Sequence, residues 1–272
     1  MDIFDALILG IVQGVTEFIP VSSSAHLVIV PELLQIAKPS LSFDTMLHFG
    51  TFLSLMLIYW KDILKLIRAC GEISNDIFFK REFKSVQNDD YKRLVFLIIL
   101  TTIPACLVGI LLEDYVEALF KSPLAVGFFL LGTGFILAIG QRNLNGKKDI
   151  LNMTVQDALF IGVAQALALA PGISRSGITI TAGLYRGLNK DLAPNYAFLI
   201  ALPVILGATI LQLKDVEIES LYLFIIGVLS AFISGYLAIK VLLKIVKQGK
   251  LIIFAGYCWI IGLIMILWEI YK

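Results

Sequence analysis

Two short stretches hold nearly all the polar residues that sit in apolar surroundings. The first runs Gln13-Gly14-Val15-Thr16-Glu17-Phe18-Ile19-Pro20-Val21-Ser22-Ser23-Ser24-Ala25-His26, and the second Pro171-Gly172-Ile173-Ser174-Arg175-Ser176-Gly177-Ile178-Thr179. In the first, a serine precedes a histidine by three residues, with a carboxylate one or two turns earlier. Those types at that spacing supply a nucleophile, a base and an orienting or metal-binding group. In the second, Arg175 offers a planar fork of donors suited to phosphate, flanked by the hydroxyls of Ser174, Ser176 and Thr179. Gly172 and Gly177 would let the backbone come close, and a half-helix starting after each break would add free N–H groups for an anion. The chemistry this describes is in-line displacement on phosphorus, with Arg175 offsetting charge on the equatorial oxygens. No Walker motif or glycine-rich nucleotide loop occurs elsewhere.

Each piece also has a blander reading. Serines in membrane helices bond back to their own carbonyls. A single histidine on an apolar face is a structural hydrogen-bonder, which is the expectation for His48, with only Phe49 and Thr51 nearby. Gln13 and Gln165 serve either the site or a bond between helices. Asp5 and Asp157 read as helix N-caps or first-turn acids at the membrane surface. What raises Glu17, Ser22, Ser23, Ser24, His26 and the Ser174-Arg175-Ser176 triplet above this reading is their depth. A charge within the hydrocarbon costs about 2.5–3.5 kcal/mol, so Glu17 and Arg175 need each other, a ligand or water.

The elements that must position them are membrane helices. Of 272 residues, 58% are hydrophobic and 16% charged, and the mean hydropathy is +0.89. A soluble domain is nearer half apolar and a quarter charged. Apolar stretches at Leu94–Leu112, Leu124–Ile139, Tyr196–Leu213, Leu221–Val241 and Leu251–Trp268 approach the roughly 20 residues a helix needs to cross about 30 Å of hydrocarbon. Sustained apolarity without period-2 alternation excludes a porin-type barrel, so the fold is all-α and polytopic. Asp2 and Asp5, with no early Lys or Arg, predict no cleaved signal. Cys70, Cys106 and Cys258 lack metal-ligand spacing and are expected to pack. The net charge of +1 gives no reason to expect nucleic acid.

The chain repeats itself. Asp5-Ala6-Leu7-Ile8-Leu9-Gly10-Ile11-Val12-Gln13 returns as Asp157-Ala158-Leu159-Phe160-Ile161-Gly162-Val163-Ala164-Gln165, and in that register Ser22-Ser23-Ser24 falls on Ser174-Arg175-Ser176. One membrane domain over 1–272 thus divides into repeats of about 1–145 and 150–272, each with three spans: 43–60, 94–112 and 123–140, then 193–213, 220–241 and 251–270. Each repeat opens with a segment broken by proline and serine or glycine. The expectation is two re-entrant helix–loop–helix hairpins whose tips meet at mid-membrane, beside six transmembrane helices. With both hairpins re-entrant, seventeen Lys and Arg fall on one side and four on the other, with Arg175 inside. That is the positive-inside pattern of an inverted repeat. It puts both termini outside the cytoplasm and the polar loop 61–93 (Lys80, Arg81, Glu82, Asp89 and Asp90 among its charges) inside, as a solvated connector with some amphipathic helix.

At these two motifs the sequence resembles the undecaprenyl-diphosphate phosphatase, or bacitracin-resistance, family. The resemblance rests on a Glu/Gln-x-x-x-Glu followed by Pro-Val-Ser-Ser, here Gln13 to Ser23 with His26, and on Pro-Gly-x-Ser-Arg-Ser-x-x-Thr, here Pro171 to Thr179. It extends over essentially the whole chain. It implies hydrolysis of undecaprenyl diphosphate to undecaprenyl phosphate at the outer face of the cytoplasmic membrane. That recycles the carrier for peptidoglycan synthesis and confers bacitracin resistance when the enzyme is abundant. It further implies a divalent cation, Mg²⁺ or Ca²⁺. By motif position Ser23 is the nucleophile with Ser22 as neighbouring candidate, His26 the proton-transfer partner, and Glu17 a metal ligand or activator. Arg175, with Ser174, Ser176 and Thr179, holds the diphosphate. Gly172, Ser24 and Gln13 complete the substrate-binding set, and Gln13 stands where many members have Glu. Partners are a polyprenyl diphosphate lipid and the bilayer, with a homodimer among the open oligomeric states. The rival is a polyprenyl-phosphate transporter using the same anion site, since broken helices in inverted repeats also build transporters.

Overall fold

Glu17 and Arg175 lie at helix ends that face one another across two breaks, and the rest of the chain holds those ends in place. The structure, a computed structural model, describes residues 1–75, 89–120, 122–212 and 220–272. Among them are twelve α-helices: α1 (Ile3–Phe18), α2 (Ser23–Leu34), α3 (Leu41–Ile58), α4 (Trp60–Asn75), α5 (Asp90–Leu111), α6 (Glu113–Phe120), α7 (Pro123–Arg142), α8 (Val155–Leu167), α9 (Arg175–Tyr185), α10 (Leu192–Gln212), α11 (Leu221–Lys247) and α12 (Ile252–Tyr271). Six of them, α3, α5, α7, α10, α11 and α12, are long and apolar enough to cross a membrane. They coincide with the six expected spans. Each carries large apolar side chains on its outer surface, such as Ile99, Ile110, Phe135, Ile233, Ile260 and Leu267. An apolar exterior on that scale suits lipid and not water, so the chain is a multi-pass membrane protein.

The four short helices α1, α2, α8 and α9 have 16, 12, 13 and 11 residues. At 1.5 Å rise none reaches beyond about 24 Å. Both first helices start with a capping box, Asp2 with Asp5 and Thr154 with Asp157, so the two aspartates are first-turn acids as expected. Asp157 also takes Lys148 Nζ at 2.9 Å and Arg186 Nε at 2.6 Å. Burial alone would raise its carboxyl. The Thr154 N–H and the two cations outweigh this and hold it at about 2, so it stays ionised and clasps loop 143–154 to the end of α9.

α1 packs most extensively on α11 and α8 on α5, while α3 meets α10 and α7 meets α12. Small residues allow these approaches. A Cβ on Gly14 would lie 2.0 Å from Ser234 Oγ and 2.5 Å from the Ala231 carbonyl, and one on Gly162 would lie 2.6 Å from the Thr101 carbonyl. Gly14 is one turn before Glu17, so this contact fixes the acid's depth. Gly14→Ala should lower the unfolding midpoint in detergent by the equivalent of about 1–3 kcal/mol of overpacking. Gly132→Ala, whose methyl meets nothing within 4 Å, should be silent. Equal midpoints for the two variants would remove this account of the α1–α11 contact.

Of the cysteines, Cys258 is buried, whereas Cys70 and Cys106 are exposed on α4 and α5. Packing therefore explains only the first. The part of loop 61–93 that is described begins as the helix α4, of which only Ala69 is buried. Lys80, Arg81 and Glu82 lie outside the described residues, as do Lys121 and Lys214, two of the four basic residues on the side opposite the seventeen.

Candidate active site

The first break follows from Pro20, which cannot donate to a continuing helix. Ile19 leaves the helix in an extended conformation, and Ser22 adopts φ 69°, ψ 101° before α2 begins at Ser23. A non-glycine residue there costs about 1–3 kcal/mol and persists only where its surroundings enforce it. The second break turns at Gly172, with φ 98°, and α9 restarts behind the N-cap Ser174. The breaks are tied together. Gly172 N–H donates to Ser24 Oγ at 3.2 Å, and Thr133 of α7 donates to the Gly172 carbonyl at 2.8 Å while accepting from Ser174 N–H at 3.0 Å.

Glu17 is the hub. Arg175 Nη2 donates to its Oε1. Its Oε2 accepts from Ser23 Oγ at 2.6 Å and from Gln13 Nε2 at 3.1 Å. A carboxylate in the last turn of a helix opposes the helix dipole, and the guanidinium on the first residue of α9 compensates. Glu17 is 6% exposed at the side chain and Arg175 18%. The acid is therefore sealed in, while the guanidinium keeps part of its surface open. Ser23 is half-buried and its hydroxyl donates to the carboxylate. Ser22 is buried, its Oγ capping α2 through Ala25 N–H and meeting Ser24 Oγ at 3.0 Å. Geometry thus separates two serines that the sequence left as alternatives.

The other expected residues are placed as follows. His26 is not brought to the Ser23 hydroxyl. Its Nδ1 lies 2.8 Å from the Ser22 carbonyl, which can only accept, so Nδ1 carries the proton; its Nε2 then accepts from Tyr257 Oη at 2.7 Å. Ser174 and Ser176 are buried and bonded to each other at 3.2 Å, and Ser174 also caps Gly177 N–H. Thr179 donates back to the Arg175 carbonyl at 2.7 Å. These three hydroxyls bond at the start of α9, which carries Arg175. At Gly172 the absent side chain faces α7, since a Cβ would lie 2.4 Å from the Val126 carbonyl. Gln165 is buried, and neither of its amide atoms has a partner among the described residues, so of its two readings the bond between helices is not made there.

Three residues enter that the sequence reading had not placed in the site. His48, expected to be merely structural, stands with Nδ1 3.0 Å from Gln13 Nε2 and 3.7 Å from Glu17 Oε2. Tyr257 and Thr133 hold the two breaks from α12 and α7. Only His48 gave any signal, as a polar residue inside an apolar span.

Among the described residues no group of three His, Cys, Asp or Glu side chains could hold a metal by itself. Both Glu17 oxygens are occupied by protein donors. Asp44, one turn before His48, interacts electrostatically with His48 and Glu17, and its Oδ1 is buried without a hydrogen-bond partner. Two carboxylates and no cage suit a cation that shares its shell with phosphate oxygens and water, as Mg²⁺ does.

The family model described as "Bacitracin resistance protein BacA" matches residues 6–264. The chain is 45% identical to an undecaprenyl-diphosphatase of Methanobrevibacter smithii, over 99% of each chain. It is 44% identical to one of Methanosphaera stadtmanae, again over 99% of each, and 44% identical to one of Halothermothrix orenii, over 98% of each.

Proposed function

The chain belongs to the BacA family of bacitracin-resistance proteins, and from that premise we propose that it hydrolyses undecaprenyl diphosphate to undecaprenyl phosphate and inorganic phosphate by attack of Ser23. The observation that carries this is one carboxylate, Glu17, bonded at once to a serine from its own break and to an arginine from the other.

Glu17 accepts the Ser23 proton as the oxygen attacks the terminal phosphorus in line with the bridging oxygen. The bond from phosphorus to that bridging oxygen breaks, and undecaprenyl phosphate leaves. Arg175 holds the equatorial oxygens with the donors not used on Glu17, stabilising charge that grows in the transition state. Water then cleaves the phosphoserine, with Glu17 returning the proton to Ser23. Glu17 and Asp44 would hold a divalent cation, Mg²⁺ or Ca²⁺, which would supply further charge neutralisation. A transporter needs the anion site but not an activated hydroxyl, so the Ser23–Glu17 bond favours the hydrolase.

The halves are inverted in this reading, with α1–α2 and α8–α9 as half-spanning hairpins. The site opens to the outer face of the cytoplasmic membrane, consistent with the basic residues gathered on the opposite side. Purified protein should release inorganic phosphate from undecaprenyl diphosphate, and a chelator should stop it. No release in the presence of Mg²⁺ or Ca²⁺ would end the hydrolase reading. Release indifferent to chelation would end the cation's part in it. With Cys70 and Cys106 replaced by serine, impermeant thiol labelling of Lys38→Cys but not of Lys147→Cys in intact cells would support the orientation, and the reverse would overturn it.

A further inference from the structure

We propose that Tyr257 and His26 are positioning residues: together they brace the strained turn at Ser22 so that Ser23 is aimed at phosphorus, and His26 carries no proton in the reaction.

The chain of contacts is continuous. Tyr257 Oη donates to His26 Nε2 at 2.7 Å, and the rings lie nearly parallel, 9° apart with centroids at 5.7 Å. His26 Nδ1–H donates to the Ser22 carbonyl at 2.8 Å. Ser22 has φ 69°, and the next residue is the nucleophile. A side chain with both nitrogens committed, one of them to a carbonyl that never titrates, has no vacancy with which to take the Ser23 proton. That proton already has a shorter path, 2.6 Å to Glu17. The next residue of α12 supports the same turn, with Cys258 Sγ 3.7 Å from the Pro20 carbonyl. Of two consecutive residues of the last helix, Cys258 thus meets the Pro20 carbonyl directly and Tyr257 supports the Ser22 carbonyl through His26, where lipid could not. In the motif the histidine follows the serine by three residues, which looks like nucleophile and base. On the helix that spacing instead sets the imidazole four residues from Ser22, over the carbonyl of its own N-cap.

The inference rests on the reading of Ser23 as nucleophile and is tested with the full-length protein on undecaprenyl diphosphate. Tyr257→Phe keeps the ring and removes one hydrogen bond. Its kcat should fall about tenfold, with KM and the unfolding midpoint unchanged. In a His26→Ala background, or His26→Asn should the alanine variant not fold, Tyr257→Phe should have no further effect, because both act through one contact. A wild-type kcat in Tyr257→Phe would overturn the brace, as would effects of the two substitutions that multiply. Ser23→Ala separates the two levels. If it keeps more than about a tenth of parental turnover, the site reading itself fails. If it is inactive while Tyr257→Phe is normal, only the brace fails.

Discussion

Ser23→Ala should lower phosphate release from undecaprenyl diphosphate by about a thousandfold or more, the loss expected when a nucleophile that works as part of a unit is removed. The substitution leaves the Arg175–Glu17 pair in place, and the protein should purify and unfold as the parent does. Ser22 cannot take over. Its hydroxyl is buried, caps α2 and bonds to Ser24, and its backbone is already strained. Ser22→Ala should therefore act mainly on stability, by about 1 kcal/mol for a lost N-cap, and retain turnover within about one order of magnitude. Comparable residual activity in the two variants, or more than a tenth of parental turnover in Ser23→Ala, would show that Ser23 is not the nucleophile.

Arg175→Lys should cost about a hundredfold in kcat although the charge is kept. The guanidinium reaches Glu17 with one nitrogen and leaves others for phosphate, and a lysine offers one compact group that cannot hold both. This variant is more informative than Arg175→Ala. Removing the cation altogether strands a buried carboxylate, which costs about 3–5 kcal/mol and confuses folding with catalysis. Arg175→Lys should keep the ion pair, and so the fold, while losing the second contact. Turnover near that of the parent would show that Arg175 does not clamp phosphate through two donors.

What was legible in the sequence follows from the range of the physics involved. Spans declare themselves because lipid imposes apolarity on twenty consecutive residues, and all six were readable. Breaks declare themselves through Pro20 and Pro171-Gly172. Cost alone required of Glu17 and Arg175 that each have the other, a ligand or water, and the structure gives them each other. Roles that depend on a neighbour far along the chain were not legible. Tyr257 is 231 residues from His26, and nothing in the local sequence around either names the other. The reading of His48 as structural looked only at Phe49 and Thr51, whereas its partner is Gln13, 35 residues earlier. The hydroxyls of Ser174, Ser176 and Thr179 were read as donors by type. Each in fact bonds locally, as serine and threonine at helix starts commonly do.

The partners of the central ion pair are 158 residues apart, one from each half, and α1 rests on α11, later still in the chain. A ribosome delivers Glu17 to the membrane long before it makes Arg175. Until then the acid has no cation, and leaving it ionised in hydrocarbon would cost about 2.5–3.5 kcal/mol. Glu17 therefore lacks its guanidinium partner until α9 has been made, and a chain that stops short of α9 cannot form the pair.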